Sequence, residues 1–161
     1  MNKNKEIEKD RDFRKKAIEL SRLSVLHGNE PFGAVLVKDD EIVFTSENRI
    51  YTSHDPTYHG EAGLIRDFCA KTAITDLSSY TLYSSCEPCF RCSGALVWVK
   101  IGRLVYGASN QDLAETLGEK GCDCSKIVFG HSFWHPKVTS GVLKEEALKV
   151  LQSYLKDHKK G

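Results

Sequence analysis

The chain has 161 residues, 40% of them hydrophobic and 28% charged, which is an ordinary balance for one globular domain. Its formal net charge of +1 provides no strong field for collecting polyanions, which argues against a protein that mainly binds bulk nucleic acid. No apolar run approaches the roughly 20 residues that span a bilayer, and the charged N-terminus lacks an apolar signal region. We therefore expect a cytoplasmic protein with no membrane partner, whose cysteines stay reduced.

The first half of the chain predicts a helix, a hairpin and a second helix. Residues 6–26 carry apolar side chains at spacings of three and four, which indicates an amphipathic helix that ends at Gly28. The run FGAVLVKDDEIVFTSEN reads as two strands that turn at residues 38–40. A loop containing Asp55-Pro56 follows, and then a helix is predicted over 58–72.

The second half alternates strands with helices. YTLYSS and RLVYGAS read as strands, and PCFRCSGALVWVK between them reads as a helix whose first turn accommodates Pro88. DLAETLGEK predicts a short helix, KVTSGV a last strand, and LKEEALKVLQSYLKDHKK an amphipathic helix with acidic residues early and basic residues late. This alternation after an opening hairpin predicts a mixed sheet with helices on both faces, an α/β/α domain.

Three cysteines, Cys86, Cys89 and Cys92, stand at intervals of three residues in SSCEPCFRCSGA. An iron–sulfur cluster would need a fourth thiolate at suitable spacing, which the sequence lacks. A redox pair at a helix start stays an open alternative for Cys89 and Cys92. Zinc is favoured, because two sulfurs three residues apart in a first helical turn face one side, where unpaired N–H groups stabilise thiolates.

A zinc ion needs more than two ligands, and the best further candidate is His59 in DPTYHGEAG, at the start of the preceding helix. One histidine and two cysteines leave the fourth position of the ion open for water, as in catalytic sites. Zinc lowers the pKa of such a water toward neutrality, and Glu61 is placed to accept its proton and return it to a leaving group. The residues therefore indicate hydrolytic attack on a polar unsaturated carbon.

The motif HGE at residues 59–61, followed by PCFRC at residues 88–92, resembles the signature of the zinc nucleobase deaminases in the cytidine deaminase-like superfamily. The resemblance extends from PFGAVLV to RLVYGAS. It implies a three-layer α/β/α sandwich with a five-stranded mixed sheet, and a single deaminase domain is expected over residues 1–161. It also implies release of ammonia from a small-molecule nucleobase or nucleoside by a homodimer with one Zn²⁺ per subunit.

The resemblance assigns the metal chemistry to particular residues. His59, Cys89 and Cys92 correspond to the zinc ligands, and Glu61 corresponds to the proton shuttle. Cys86 matches the first cysteine of the CEPC form found in guanine deaminases. It is expected not to be a fourth ligand, because a closed site would have nowhere to bind water.

The resemblance also suggests substrate contacts. Asn48 matches an asparagine that holds the base, although asparagine could equally end the hairpin strand here. Phe32 and Gly33 match a wall of the pocket, although Phe32 could belong to the core. Backbone groups of Cys86 and Glu87 are expected beside the amino group that is replaced.

The C-terminal part contains further metal-binding residue types without an assigned role: Cys122, Cys124, His131 and His135. They could bind a second metal only with partners that the sequence does not reveal. The segment GHSFWHP is instead a candidate lid, in which Phe133 or Trp134 would stack on a base.

Three substrate classes compete. DPT, SSCEPC and the tryptophan of GALVW are similar to runs in guanine deaminases, whereas IGRLVYGAS and VTSGVLKEEALKVL resemble transfer-RNA adenosine deaminases. His-Gly-Glu in place of the commoner His-Ala-Glu weakly supports cytosine or cytidine. Phe90-Arg91 departs from the apolar pair usual in the first two classes, and the role of Arg91 is left open.

A small purine is the favoured substrate on this sequence. NQDLAETLG lacks the lysine–threonine–glycine-rich loop of the transfer-RNA enzymes, and the near-neutral charge offers little basic surface for an anticodon. We therefore expect a deaminase of a free purine base or nucleoside, with guanine favoured over transfer RNA and over pyrimidines. A zinc-stabilised binding module is the non-enzyme alternative, against which Glu61 argues because a structural metal site needs no such carboxylate.

Overall fold

The computed structural model describes residues 2–158 and contains one sheet of five strands. The strands are β1 (Gly33–Lys38), β2 (Glu41–Glu47), β3 (Thr81–Cys86), β4 (Arg103–Ala108) and β5 (Lys137–Thr139). Their order is β2-β1-β3-β4-β5; β1 runs antiparallel to β2 and β3, whereas β3, β4 and β5 are parallel. The predicted five-stranded mixed sheet is confirmed.

Helices cover both faces of the sheet. They are α1 (Lys3–Leu26), α2 (Gly60–Thr72), α3 (Phe90–Trp98), α4 (Asn110–Leu117), α5 (Cys124–Gly130) and α6 (Lys144–His158). α1 and α6 pack on one face, and α2, α3 and α5 form the opposite layer. The α/β/α sandwich is therefore confirmed. The last residues of the predicted C-terminal helix, 159 and 160, lie outside the described part of the chain.

Each face of the sheet has its own core, because successive side chains of a strand point to opposite faces. In β1, Ala34 and Leu36 pack with the α2 and α3 layer, whereas Val35 and Val37 pack against α1. All four are buried. A strand buried on both faces reads as a continuous apolar run, which is why β1 was recognisable in the sequence.

Two helix starts differ from the predicted ones for local reasons. α2 begins at Gly60 rather than at Tyr58, because Asp55 forms a turn in which its side chain accepts hydrogen bonds from the N–H and Oγ of Thr57. α4 begins at Asn110, two residues earlier than predicted, because Ser109 caps it in a capping box. The helix α5 was not predicted, since its seven residues are too few to show a helical period.

The sheet topology brings four chain segments to one edge. Because β1 is antiparallel to both neighbours, its start pairs with the end of β2 and the end of β3, as Ala34 does with Ser84. The parallel strand β4 ends at the same edge, where Ala108 pairs with Cys86. Open α/β sheets bind ligands at such carboxyl edges. In the described residues, no helix combines the length and apolar character needed to cross a bilayer.

Candidate metal centre and active-site cavity

Two helix starts bring one histidine and two cysteines together at this edge. His59 precedes α2, Cys89 precedes α3, and Cys92 lies in the first turn of α3. His59 Nδ1 lies 3.6 Å from Cys89 Sγ and 3.7 Å from Cys92 Sγ. Within residues 2–158, this is the one group of three or more His, Cys, Asp or Glu side chains arranged to hold a metal ion.

The separations fit a tetrahedral zinc ion. Zn–S bonds of about 2.3 Å and a Zn–N bond of about 2.0 Å, at the tetrahedral angle, place nitrogen and sulfur about 3.5 Å apart, close to the distances in the structure. One imidazole and two thiolates are also a donor set that zinc prefers. The predicted zinc site of His59, Cys89 and Cys92 is therefore confirmed.

The protonation states of the two cysteines are linked by their contact. The hydrogen bond from Cys92, and a further one from His59, hold the pKa of Cys89 at about 3 against the opposing effect of burial. The same bond, together with burial, raises the pKa of Cys92 above its ordinary value. The contact therefore favours the thiolate form of Cys89, which is the form that binds a metal ion.

Glu61 lies in the first turn of α2 beside the metal ligands. Its side chain is buried, and Ser84 Oγ donates a hydrogen bond of 2.5 Å to Glu61 Oε1. Burial raises the pKa of Glu61, and the bond from Ser84 partly opposes this effect. A buried carboxyl whose pKa lies above the ordinary range is suited to accepting and returning protons.

A small cavity of about 90 Å³ opens beside the metal centre. The residues that line it are Phe32, His59, Glu61, Glu87, Cys89, Asn110 and Leu113. The structure therefore brings the metal centre and the buried carboxyl of Glu61 to one cavity, together with the apolar side chains of Phe32 and Leu113. This combination allows a flat unsaturated ring to be placed against a zinc site.

Asn48 directly follows β2; it does not itself line the cavity but is bonded to Phe32, which does. Its backbone N–H donates to the carbonyl of Phe32 at 2.9 Å, and its side-chain Oδ1 accepts from Ile50 N–H at 3.1 Å. The bond at Oδ1 fixes the orientation of the amide. Nδ2 is buried and has no hydrogen-bond partner in the described residues, which is uncommon for a buried donor.

Two other predicted contact residues, Gly33 and Cys86, do not line the cavity. Gly33 N–H donates to Ser85 Oγ at 3.1 Å, and a Cβ at Gly33 would lie 2.6 Å from Leu20 Cβ, so the glycine permits close packing of α1. Cys86 is buried in an apolar cluster with Ile18, and burial raises the pKa of its thiol to about 12. It lies outside the metal-binding group.

The carboxylate of Glu87 connects the metal-site loop to two later helices. Its Oε2 accepts from Asn110 N–H at 2.7 Å, and its Oε1 accepts from Ser125 N–H at 3.0 Å and Ser125 Oγ at 2.5 Å. The backbone N–H of Glu87 donates to the carbonyl of Ala108 at 2.8 Å. Sequence reasoning missed this role, because nothing local in SSCEPC identifies the partners.

The segment GHSFWHP does not cover the cavity. Trp134 Nε1 donates to the carbonyl of Ile101 at 2.8 Å, and its ring packs against the core. Phe133 is exposed, and its ring contacts the exposed ring of Trp98 at the end of α3. Neither side chain lines the cavity, so the lid hypothesis is wrong. His131 and His135 belong to no metal-binding group among the described residues.

Comparisons with known proteins agree with this geometry. The family described as the cytidine and deoxycytidylate deaminase zinc-binding region matches residues 7–108. A guanine deaminase of Bacillus subtilis (strain 168) is 41% identical over 104 residues, which cover 64% of this chain and 67% of that protein. A tRNA-specific adenosine deaminase of Buchnera aphidicola subsp. Baizongia pistaciae (strain Bp) is 33% identical over 151 residues, 94% of this chain and 91% of that protein.

A solved structure has the same fold. It comes from work on A-to-I editing by tRNA:A34 deaminases at the wobble position of transfer RNA. It superposes with a TM-score of 0.76 at 30% identity, over 87% of this chain and 99% of its own. These relatives are both deaminases, but they act on different substrates, so the comparisons support deamination and do not identify the substrate of this chain.

Proposed function

The chain belongs to the cytidine and deoxycytidylate deaminase zinc-binding family, and on that premise we propose that this zinc-dependent hydrolase deaminates a free purine base or nucleoside, with guanine favoured. The observation that carries the proposal is the small cavity at the metal centre. Its apolar side chains, Phe32 and Leu113, line a space beside the metal centre in which one planar ring could pack. Nucleobase deaminases enclose a single base in this way.

Glu61 acts as the proton shuttle in the proposed reaction. When bound, zinc lowers the pKa of a water molecule toward neutrality and supplies the nucleophile. Glu61 accepts the proton that this water loses and delivers a proton to the departing amino group, which leaves as ammonia. The bond from Ser84 Oγ to Glu61 Oε1 holds the carboxyl in place for both transfers.

Asn48 is proposed to bind the base. Because Oδ1 is engaged by Ile50 N–H, the unpartnered Nδ2 is the amide atom free to donate to a ring carbonyl or ring nitrogen. Phe32, which is bonded to Asn48 through its backbone, provides the adjacent apolar wall, and Gly33 positions that wall against α1. The backbone of Glu87, which lines the cavity, is proposed to lie beside the amino group that leaves, and Cys86 would contribute only through the backbone that immediately precedes Glu87.

Two side chains between the zinc cysteines do not weaken the purine proposal. Phe90 and Arg91 depart from the pattern expected of guanine deaminases, but both are exposed and neither lines the cavity. Arg91 instead donates from Nη2 to Cys92 Sγ at 3.9 Å. The departure therefore concerns the outer side of the metal site and leaves the base pocket unchanged.

Deamination of adenosine in transfer RNA is the second candidate. Its support is the length of the match, since the tRNA-specific relative aligns with 94% of this chain and the guanine deaminase with 64%. Against it stands the net charge of +1, because an anticodon loop calls for basic and stacking surface.

Ammonia release from a panel of substrates tests the proposal. Guanine, guanosine, adenine, adenosine, cytosine and cytidine are assayed in parallel with an anticodon stem-loop. We expect the highest kcat/KM with guanine or guanosine. The variant Glu61→Gln should keep its zinc and lose roughly 10²–10⁴-fold in kcat, the contribution of general acid–base catalysis. Turnover confined to the stem-loop would replace the purine proposal with the transfer-RNA one.

We also propose that the protein is a homodimer with one zinc ion per subunit. The support in the structure is an exposed aromatic pair, Trp98 and Phe133, whose side chains are 78% and 62% exposed and whose ring centroids lie 5.5 Å apart. Large exposed aromatic rings are enriched in protein interfaces. Light scattering at micromolar concentration should give twice the mass of the chain, and a monomer mass would contradict the proposal.

A further inference from the structure

Cys122 and Cys124 form a close pair of thiols outside the metal centre. Their Sγ atoms lie 3.6 Å apart, and Cys124 N–H donates to the carbonyl of Cys122 at 2.9 Å. Asp123 between them has φ −78° and ψ 75°, the conformation of an inverse γ-turn. An extended chain would hold two such residues about 7 Å apart at Cα, at the limit of a disulfide. The turn shortens this span and directs both sulfurs to one side.

The two thiols differ in their access to solvent. Cys122 is exposed, so a reagent in solution can reach its sulfur. Cys124 is 8% exposed, and burial together with its contact to Cys122 raises the pKa of its thiol to about 12. Cys122 is thus the sulfur that reagents in solution reach first, and the largely buried Cys124 lies in contact with it.

We propose that Cys122 and Cys124 are a reversible dithiol site that reacts with low-molecular-weight disulfides to form an intramolecular disulfide. The thiolate of Cys122 attacks one sulfur of the external disulfide, whose S–S bond breaks as a mixed disulfide forms and one thiolate leaves. Cys124 then gives up its proton and attacks Cys122 Sγ, which expels the second thiol. The chain is oxidised by two electrons, and the external disulfide is reduced to two thiols.

Oxidation of this site is coupled to the active-site cavity through Ser125. Ser125 follows Cys124 directly, and both its N–H and its Oγ donate to Glu87 Oε1. Glu87 lines the cavity and also binds the start of α4. Closing the sulfur pair from 3.6 Å to the bond length of about 2.05 Å pulls on Cys124, the first residue of α5, and the proposal is that the first turn of this helix shifts with it. This coupling rests on the proposed function, and it predicts that oxidation lowers deaminase activity.

Mass spectrometry tests the site independently of activity. The zinc-loaded full chain is treated with oxidised glutathione, and its mass, free thiols and bound zinc are measured. We expect the mass of the chain to fall by two hydrogen atoms, with no glutathione retained and zinc still bound. Peptide mapping should place the disulfide in a peptide that contains both Cys122 and Cys124. Cys124→Ser should instead keep one glutathione on Cys122, and Cys122→Ser should form neither product. Cys69→Ser is the control, because Cys69 is distant from the pair in sequence, and this variant should behave like the wild type.

Other outcomes contradict the inference. A stable glutathione adduct on the wild type would show that Cys124 does not resolve the mixed disulfide. Zinc release with oxidation in both Cys122→Ser and Cys124→Ser would locate the reactive thiols at the metal centre instead.

Activity tests the coupling separately. We expect a reversible fall in kcat/KM of roughly tenfold, comparable to losing one hydrogen bond to a charged group, which a reducing agent restores and Cys122→Ser abolishes. Unchanged activity of the oxidised protein would overturn the coupling through Ser125. If the reduced protein deaminates none of the substrates, the proposed function fails, and the mass result still decides whether the dithiol site exists.

Discussion

At the scale of single residues, the proposed chemistry depends on how the Glu61 carboxyl is held. Its buried position makes each hydrogen bond to it count, because water does not replace a lost partner. Ser84 supplies the side-chain bond, from Oγ to Oε1 at 2.5 Å. The serine belongs to β3 and the carboxylate to α2, so this bond joins the sheet to the catalytic helix.

Ser84→Ala should therefore reduce catalysis while zinc stays bound. We expect a fall in kcat/KM of roughly tenfold or more, since a hydrogen bond to a charged group contributes about 1.5–3 kcal/mol. Steady-state kinetics and zinc content measure the two effects. Ser85→Ala is a matched control in the same strand, because Ser85 Oγ binds Gly33 N–H and not Glu61. Equal losses in both variants would contradict the role of Ser84.

Two glycines near the site should respond to alanine in opposite ways. A Cβ at Gly60 would lie 3.5 Å from Gly33 Cα, an ordinary contact, so Gly60→Ala should keep activity and stabilise α2 by up to about 1 kcal/mol. A Cβ at Gly33 would lie 2.8 Å from the carbonyl of Ala17 and 2.6 Å from Leu20 Cβ. Gly33→Ala should therefore destabilise the fold by about 1–3 kcal/mol. Urea denaturation measures the free energy of unfolding of both variants. Equal changes in the two variants would contradict the close packing of Gly33 against α1.

The metal ligands were predictable from the sequence, whereas the role of Glu87 was not. His59, Cys89 and Cys92 stand in short motifs at helix starts, where the spacing of residues along the sequence predicts which side chains lie on the same side of the helix. The partners of Glu87 are Asn110 and Ser125, which lie 23 and 38 residues further along the chain. Contacts of that separation depend on the assembled sheet, so no local pattern reveals them.

At the scale of elements, the start of α4 determines part of the cavity wall. Ser109 caps this helix, and the carboxylate of Asp112 accepts from Ser109 N–H at 2.9 Å and from Lys144 Nζ at 2.9 Å. Burial acts to raise the pKa of Asp112, but the bonds from Ser109 and Lys144 outweigh it and lower the pKa below its ordinary value. The carboxylate therefore links α4 to α6 in its charged form.

This lowered pKa predicts how stability depends on pH. A group with a lower pKa in the folded state stabilises the fold above its unfolded pKa of about 3.9, and this contribution disappears as pH falls through the folded value. Asp112→Asn should cost about 1 kcal/mol at pH values near 7, and the difference from wild type should vanish in acid. Urea denaturation across that pH range measures it. Asp12→Asn, at a 74% exposed side chain of α1, should show no such difference.

Long periodic elements were predicted well, and short ones were not. α1 and α6 show apolar side chains on one side over many turns, and their predicted bounds agree closely with the structure. α5 has seven residues, and its start is stabilised by Ser125 bonding to distant Glu87. The predicted last strand also shortens to Lys137–Thr139, because it pairs only with β4 at the sheet edge.

At the scale of the whole molecule, one buried side chain of α1 bonds to the backbone of two distant segments, β3 and the loop before α6. Arg14 in α1 is fully buried, and it donates from Nε to the carbonyl of Val142 at 3.1 Å and from Nη2 to the carbonyl of Ser85 at 3.2 Å. Val142 precedes α6, and Ser85 lies near the end of β3, the strand that leads to the metal-site loop. The guanidinium thus fixes three segments that the sheet alone does not connect.

The magnitudes decide whether this arginine stabilises the fold. Burial lowers the pKa of Arg14 from 12.5 to about 10, which corresponds to a cost of about 3 kcal/mol for the charged form. Two hydrogen bonds from a charged donor return about 1.5–3 kcal/mol each. Removing the side chain would also leave two buried carbonyls without this donor. On these bonds alone the balance lies between about 0 and 3 kcal/mol in favour of the arginine, and the buried Nη1, which has no partner among the described residues, moves it toward the lower end. The two carbonyls left without a donor bring the cost of removing the side chain to about 2 kcal/mol.

Arg14→Met should therefore lower the free energy of unfolding by about 2 kcal/mol, or the melting temperature by roughly 4–8 °C for a chain of this size. Arg11→Met is the matched control, because Arg11 lies in the same helix with an exposed side chain and should change stability by less than about 0.5 kcal/mol. Thermal unfolding of both variants measures the difference. Equal melting temperatures would mean that the cost of burying the guanidinium cancels its bonds, and that packing alone holds α1 and α6 against their face of the sheet.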